Sequence, residues 1–262
     1  MKTRANGIEV NYEIHGREGA PWLVLSHSLA CSVRMWDPQI AALKDRFRIL
    51  AYDTRGHGAT EAPRSAYTLE MLADDLFFLL KELKIGTTHY CGLSMGGMIG
   101  QTFALKYPGI FRTLTLADTT SRYPQEAAPL WAERIRTAEA KGMAPLAQPT
   151  LERWLTEAFR KSNPAVVDSV RKLILATPVA GYAGCCHAIP RIDLTARLKE
   201  IKCPILVIVG ADDPGTPVAM AREIHDNAPG SKLVVLPQAA HLANLEQPAG
   251  FTRALQEFLS SN

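Results

Sequence analysis

Gly92-Leu93-Ser94-Met95-Gly96 matches the spacing G-x-S-x-G, in which a serine occupies a tight turn between a strand and a helix. Small residues two before and two after the serine are needed because larger side chains would collide inside the turn. The turn lifts the hydroxyl above the end of a sheet and aims the next backbone N–H at the same point. A serine held in this way is suited to attack a carbonyl carbon. The flanks agree: residues 87–91 are rich in β formers, and residues 97–107 carry a helical pattern that stops at Pro108-Gly109.

A hydroxyl becomes a good nucleophile only when a base takes its proton, and that base needs a third group to orient it. Around this motif the partners follow in the chain order serine, acid, histidine. The histidine is His241, in the loop after the last apolar run, whereas His225 lies within a helical pattern and is expected to face water. The acid lies in Gly210-Ala211-Asp212-Asp213-Pro214, where two aspartates compete. Asp118, at the end of an earlier strand, is a third candidate with a more structural character. Charge that develops on the carbonyl oxygen needs preorganised donors. The Met95 N–H is one, and the loop His27-Ser28-Leu29-Ala30 should supply the other from Leu29.

These residues require a scaffold, and the chain reads as one. Residues 7–14 alternate strictly and predict an antiparallel edge strand, while residues 22–26, 48–52, 113–117, 204–210 and 232–236 are apolar runs of buried strands. Helical patterns separate them at 38–44, 69–84, 218–228 and 249–260. Residues 120–199 contain no strand pattern but several helical stretches, at 127–141, 151–161 and 165–176. Alternating strands and helices predict a mostly parallel sheet covered on both faces. A helical insert in such a protein packs over the carboxyl ends of the strands, where these sheets carry their sites.

Composition excludes other classes. The 262 residues are 47% hydrophobic and 21% charged, with a formal net charge of +3 and no basic runs, so nucleic acid is not an expected partner. No apolar run is long enough to span a bilayer, no secretory signal opens the sequence, and the cytoplasm is the expected location. Cys31, Cys91, Cys185, Cys186 and Cys203 have neither disulfide nor metal-site spacing and are expected to be buried thiols.

The order of the 92–96 turn, Tyr52-Asp53-Thr54-Arg55-Gly56-His57-Gly58, the 210–217 turn and His241-Leu242-Ala243-Asn244-Leu245-Glu246-Gln247-Pro248 resembles the α/β-hydrolase superfamily. Finer features resemble its 3-oxoadipate enol-lactonases: residues 20–29 with Ser28 after His27, residues 34–39, residues 91–97 and Gly181-Tyr182-Ala183-Gly184-Cys185-Cys186-His187-Ala188-Ile189. The resemblance implies an α/β-hydrolase fold, a central sheet flanked by helices with an α-helical cap inserted after the sixth strand. The core would comprise residues 1–119 and 200–262, and the cap residues 120–199. It implies the triad Ser94, Asp213 and His241, with Asp53, Arg55 and His57 holding a loop together. The implied chemistry is opening of a lactone or ester through an acyl-enzyme in aromatic catabolism, with no metal or organic cofactor. An enol-lactone of that pathway carries a carboxylate, for which Arg34 and Arg134 or Arg136 are candidates, with Trp131 and Trp154 as apolar walls. A broad carboxylesterase, a carbon–carbon bond hydrolase and a ligand-binding protein on the same scaffold are the alternatives.

Overall fold

The computed structural model describes the backbone of residues 1–262 and every side chain but that of Gln125. Eight strands form one sheet in the order β1-β2-β4-β3-β5-β6-β7-β8: β1 Lys2–Ala5, β2 Ile8–His15, β3 Trp22–Ser26, β4 Arg48–Tyr52, β5 Thr88–Leu93, β6 Phe111–Ala117, β7 Ile205–Gly210 and β8 Lys232–Leu236. From β4 through β8 every pairing is parallel, and β1 and β2 are antiparallel. The alternation at 7–14 is therefore an antiparallel strand, but not the edge. The edge is β1, whose Lys-Thr-Arg-Ala sequence is too short and polar to signal a strand by itself.

The helices are α1 Asp37–Leu43, α2 Leu69–Glu82, α3 Met95–Lys106, α4 Ala128–Lys141, α5 Ala144–Trp154, α6 Glu157–Ser162, α7 Pro164–Ala176, α8 Val179–Ala188, α9 Val218–Asn227, α10 Ala243–Glu246 and α11 Pro248–Ser260. Successive side chains of a strand point to opposite faces, so the sheet has two cores. Leu23 and Leu25 of β3 join Leu43, Phe251 and Leu255 on one face. Val24 joins Leu76, Phe103 and Ile224 on the other. No single helix among the described residues is long and apolar enough to cross a membrane.

Helices α4 to α8 form the cap between β6 and β7. The expected continuous helix at 151–161 is broken. Leu155 is extended (φ −132°, ψ 136°), and the Thr156 hydroxyl accepts the Phe159 N–H to start α6. A threonine placed to cap a new turn was the available signal. Helix α8 was not foreseen, because its run of small residues has no amphipathic stripe. It is buried on nearly all sides, and that burial needs its glycines. A Cβ on Gly181 would lie 1.9 Å from the carbonyl oxygen of Gly56, and one on Gly184 would lie 2.7 Å from the Tyr67 ring.

Gly181→Ala is expected to push α8 off the core and destabilise the fold by about 1–3 kcal/mol, the cost of overpacking. Gly86, where an added Cβ meets nothing within 4 Å, is the control. Chemical denaturation of the two alanine variants checks the difference.

Candidate active site

The turn between β5 and α3 works only because three pieces of backbone meet without side chains. A Cβ on Gly92 would sit 2.3 Å from the Gly96 carbonyl, and one on Gly96 would sit 2.2 Å from the Ser26 carbonyl oxygen. Ser94 itself is held at φ 55°, ψ −115°, a conformation that costs a non-glycine residue about 1–3 kcal/mol. Two bonds hold it there: Ser94 N–H donates to the Ala117 carbonyl (2.8 Å), and the Thr119 hydroxyl donates to the Ser94 carbonyl (2.7 Å).

The loops after β7 and β8 bring Asp213 and His241 together. His241 Nδ1 lies 2.8 Å from Asp213 Oδ2, with both side chains buried. Asp213 also accepts the Gly215 N–H (2.7 Å), the Thr216 N–H (3.1 Å) and the Thr216 hydroxyl (2.7 Å). Burial alone would raise the Asp213 pKa, but the charge and hydrogen bond of His241 and the Thr216 donors outweigh it, and the carboxyl sits below its ordinary value. Asp212 is exposed. Asp118 does not bond the histidine: it accepts the Gly210 N–H (2.7 Å), and burial pushes its pKa well up. His225 is half-buried against the Ser231 hydroxyl rather than facing water.

The loop after β3 is fixed by two buried histidines. His27 Nε2 accepts the Thr54 N–H (2.9 Å), so its proton is on Nδ1, which donates to the Ser28 carbonyl (2.7 Å). His57 Nε2 likewise accepts the Ala30 N–H (3.0 Å), and its Nδ1 donates to the Arg55 carbonyl (3.2 Å). Ala30 is thereby held at φ 55°. Among the described residues the Leu29 N–H has no protein acceptor, and Met95 opens α3, where N–H groups have no carbonyl one turn back. Asp53 ties the same region together by accepting from Asn11, Val33 and Ala59.

Ser94, His241, Leu29 and Ser28 line one cavity of about 180 Å³, closed on the cap side by Tyr123, Trp131, Arg134, Arg153, Trp154 and Tyr182. His241 uses Nδ1 for its protein contacts, which leaves Nε2 for the cavity. Trp131, Arg134 and Trp154 thus line the same cavity as Ser94. Arg34 does not: it is half-exposed and pairs with Glu13 and Asp37 outside the cavity, so its position near the Leu29 loop in sequence misleads. Arg136 pairs with Glu133 on the surface.

Arg153 also lines the cavity and has no signal in the sequence, since it shares a face of α5 with Thr150 that only the fold turns toward Ser94. Its guanidinium reaches only the Thr150 hydroxyl (3.4 Å), while Arg134 lies over the Trp131 ring at 4.4 Å. Neither forms an ion pair among the described residues. Burial, joined by the like charge of Arg134, lowers the Arg153 pKa. Two cations, one serine and one oriented imidazole therefore share a mostly apolar chamber. That set can hold an anionic molecule and transfer an acyl group from it.

The description of the family model that matches residues 21–248 is alpha/beta hydrolase fold. The 3-oxoadipate enol-lactonase 2 of Acinetobacter baylyi is 35% identical, over 96% of this chain and 93% of that protein. The crystal structure of the enol-lactonase from Burkholderia xenovorans LB400 superposes with a TM-score of 0.96 at 38% identity, covering 99% of this chain and 100% of that one. A malate-bound thermophilic esterase from Thermogutta terrifontis gives a TM-score of 0.92 at 32% identity, covering 99% and 96%.

Two outcomes test this geometry. Glycine tolerates positive φ, so Ser94→Gly is expected to be more stable than Ser94→Ala by about 1 kcal/mol in denaturant titrations. The second concerns His57, which burial and the neighbouring His27 lower to about 3. Its folded pKa lies below the unfolded value of about 6.5, so the unfolded chain takes up the proton first and stability falls as pH drops through that window. His57→Gln should flatten the pH dependence of unfolding free energy between pH 6 and 4 by about 1 kcal/mol per pH unit.

Proposed function

The chain belongs to the alpha/beta hydrolase fold family and is a carboxylic ester hydrolase, and from that premise we propose that it opens a carboxylate-bearing enol-lactone through a seryl acyl-enzyme. In this reading residues 120–199 are the substrate-binding cap, residues 1–119 and 200–262 supply the chemistry, and the work is a step of aromatic catabolism in the cytoplasm. The observation that carries the reading is the sharing of one cavity by Ser94, His241 and two arginines without acidic partners.

Ser94 Oγ attacks the lactone carbonyl while His241 Nε2 takes its proton. Asp213 holds Nδ1–H, which fixes the tautomer and stabilises the imidazolium that forms. The Leu29 and Met95 N–H groups receive the oxyanion. Collapse of the tetrahedral adduct breaks the ring C–O bond. The departing enolate takes the proton from His241 and tautomerises to a ketone, which makes ring closure unfavourable. Water then attacks the acyl-enzyme with His241 as base, and the acid and free Ser94 are released. Arg134 and Arg153 hold the carboxylate that does not react, and Trp131 and Trp154 flank the ring. Malate, in the Thermogutta terrifontis esterase, is a small carboxylate of the class these arginines suit.

Purified protein is expected to consume enol-lactone absorbance and to be labelled by a fluorophosphonate, with both lost in Ser94→Ala. Arg153→Ala and Arg134→Ala should each raise KM for the lactone by roughly tenfold to a hundredfold, the worth of a charge-assisted hydrogen bond. KM for the uncharged p-nitrophenyl acetate should stay within about twofold, and Arg34→Ala should change neither. Turnover of aryl esters with none of the enol-lactone would favour the broad esterase instead. An unlabelled, folded wild-type protein would remove the enzyme reading of Ser94.

A further inference from the structure

Glu246 is a buried carboxylate with no ion-pair partner among the described residues, and two of its three hydrogen bonds cross from the core to the cap. Oε2 accepts the Ala240 N–H (2.5 Å), immediately before His241. Oε1 accepts both the N–H (2.8 Å) and the hydroxyl (2.7 Å) of Thr156, at the break between α5 and α6. On the other side of the histidine, the Leu242 N–H donates to the Trp154 carbonyl (3.0 Å). The Trp154 ring itself stacks on the His241 imidazole, with centroids 6.0 Å apart and planes inclined by 28°. Both chain neighbours of His241 are therefore fastened to residues 154–156 of the cap. Arg153 is the next residue along.

We propose that Glu246 is a positioning residue that sets His241 against Ser94 by clamping the histidine loop to the α5–α6 break. The inference rests on the reading of Ser94 and His241 as nucleophile and base. A carboxylate is required because the two backbone donors, Ala240 N–H and Thr156 N–H, sit on opposite oxygens and can only donate, so each needs an oxygen of its own. Glutamine has one accepting oxygen, so its N–H₂ faces either the Ala240 N–H or the Thr156 N–H, and in both orientations one half of the clamp opens. Neither Glu246 nor Thr156 lines the cavity, so with a substrate that does not use the arginines loss of the clamp acts on turnover. Arginine variants at 134 and 153 act the opposite way.

The test uses p-nitrophenyl acetate turnover and the rate of fluorophosphonate labelling, neither of which needs the lactone. Glu246→Gln is expected to lower kcat and the labelling rate together by about tenfold to a hundredfold, as small misplacements of a catalytic group do, with KM within about twofold. Glu246→Asp, which keeps both oxygens, should recover part of the loss. Thr156→Val, which removes one of three donors, should cost less than Glu246→Gln and add nothing to it in the double variant. If Glu246→Gln fails to fold, Thr156→Val still lowers kcat at constant KM. Wild-type kcat in folded Glu246→Gln overturns the proposal, as do losses that multiply in the double variant. Absence of labelling in the wild type would instead mean that the reading of Ser94 and His241 has failed.

Discussion

The absence of side chains on Gly92 and Gly96, where they meet each other and the Ser26 carbonyl, is the constraint on which the rest of the site depends. It lets β5 run directly into α3 and leaves Ser94 at a backbone angle that serine does not choose. The strain does not stop there. Ala30 and Asp118 also take positive φ at the carboxyl ends of neighbouring strands, and each is held by a specific polar contact, to His57 and Gly210 respectively. Strain of this kind persists only where the surroundings over-determine it. Here the surroundings are the central strands, which bury their residues on both faces and give these loops a rigid floor.

The cap and the core divide the work by chemical type. The core supplies the serine, the imidazole and the carboxylate, with the Ser94 backbone bonded to Ala117 and Thr119, Asp213 to two backbone N–H groups, and His241 to Asp213. The cap supplies the apolar walls and the two arginines, whose own contacts are a threonine hydroxyl and an indole face. Leaving a cation partly buried without a carboxylate disfavours its charge, as the direction of the Arg153 shift records. An anion entering the chamber would relieve that penalty.

Much of this was legible in the sequence, because the elements that hold Ser94, Asp213 and His241 are stretches where local pattern and tertiary role agree. Buried strands read as apolar runs, and a glycine–serine turn between strand and helix has few other uses. The failures are equally physical. Strand β1 owes its existence to pairing with β2, and helix α8 to close packing on Gly56 and Tyr67, so neither has a local signature. Arg34 and Arg153 show the same limit at the level of single residues. Nearness in sequence to the Leu29 loop said nothing about the carboxylates of Glu13 and Asp37, which hold Arg34 outside. Arg153 shares a helix face with Thr150, and only the fold turns that face toward Ser94.

The Gly56–Gly181 contact bears on how such an enzyme can change its substrate over evolutionary time. Two backbones in contact leave α8 no freedom to shift or to enlarge its residues, so that helix is a fixed hinge-plate for the cap. Tyr182 of α8 reaches the chamber from this fixed helix, while Trp131 and Arg134 of α4 and Arg153 and Trp154 of α5 supply the rest of its polar and aromatic cap wall together with Tyr123. Adaptive substitutions are thereby favoured on α4 and α5, and a lineage can reshape the chamber there while the joint that seats the cap stays unaltered.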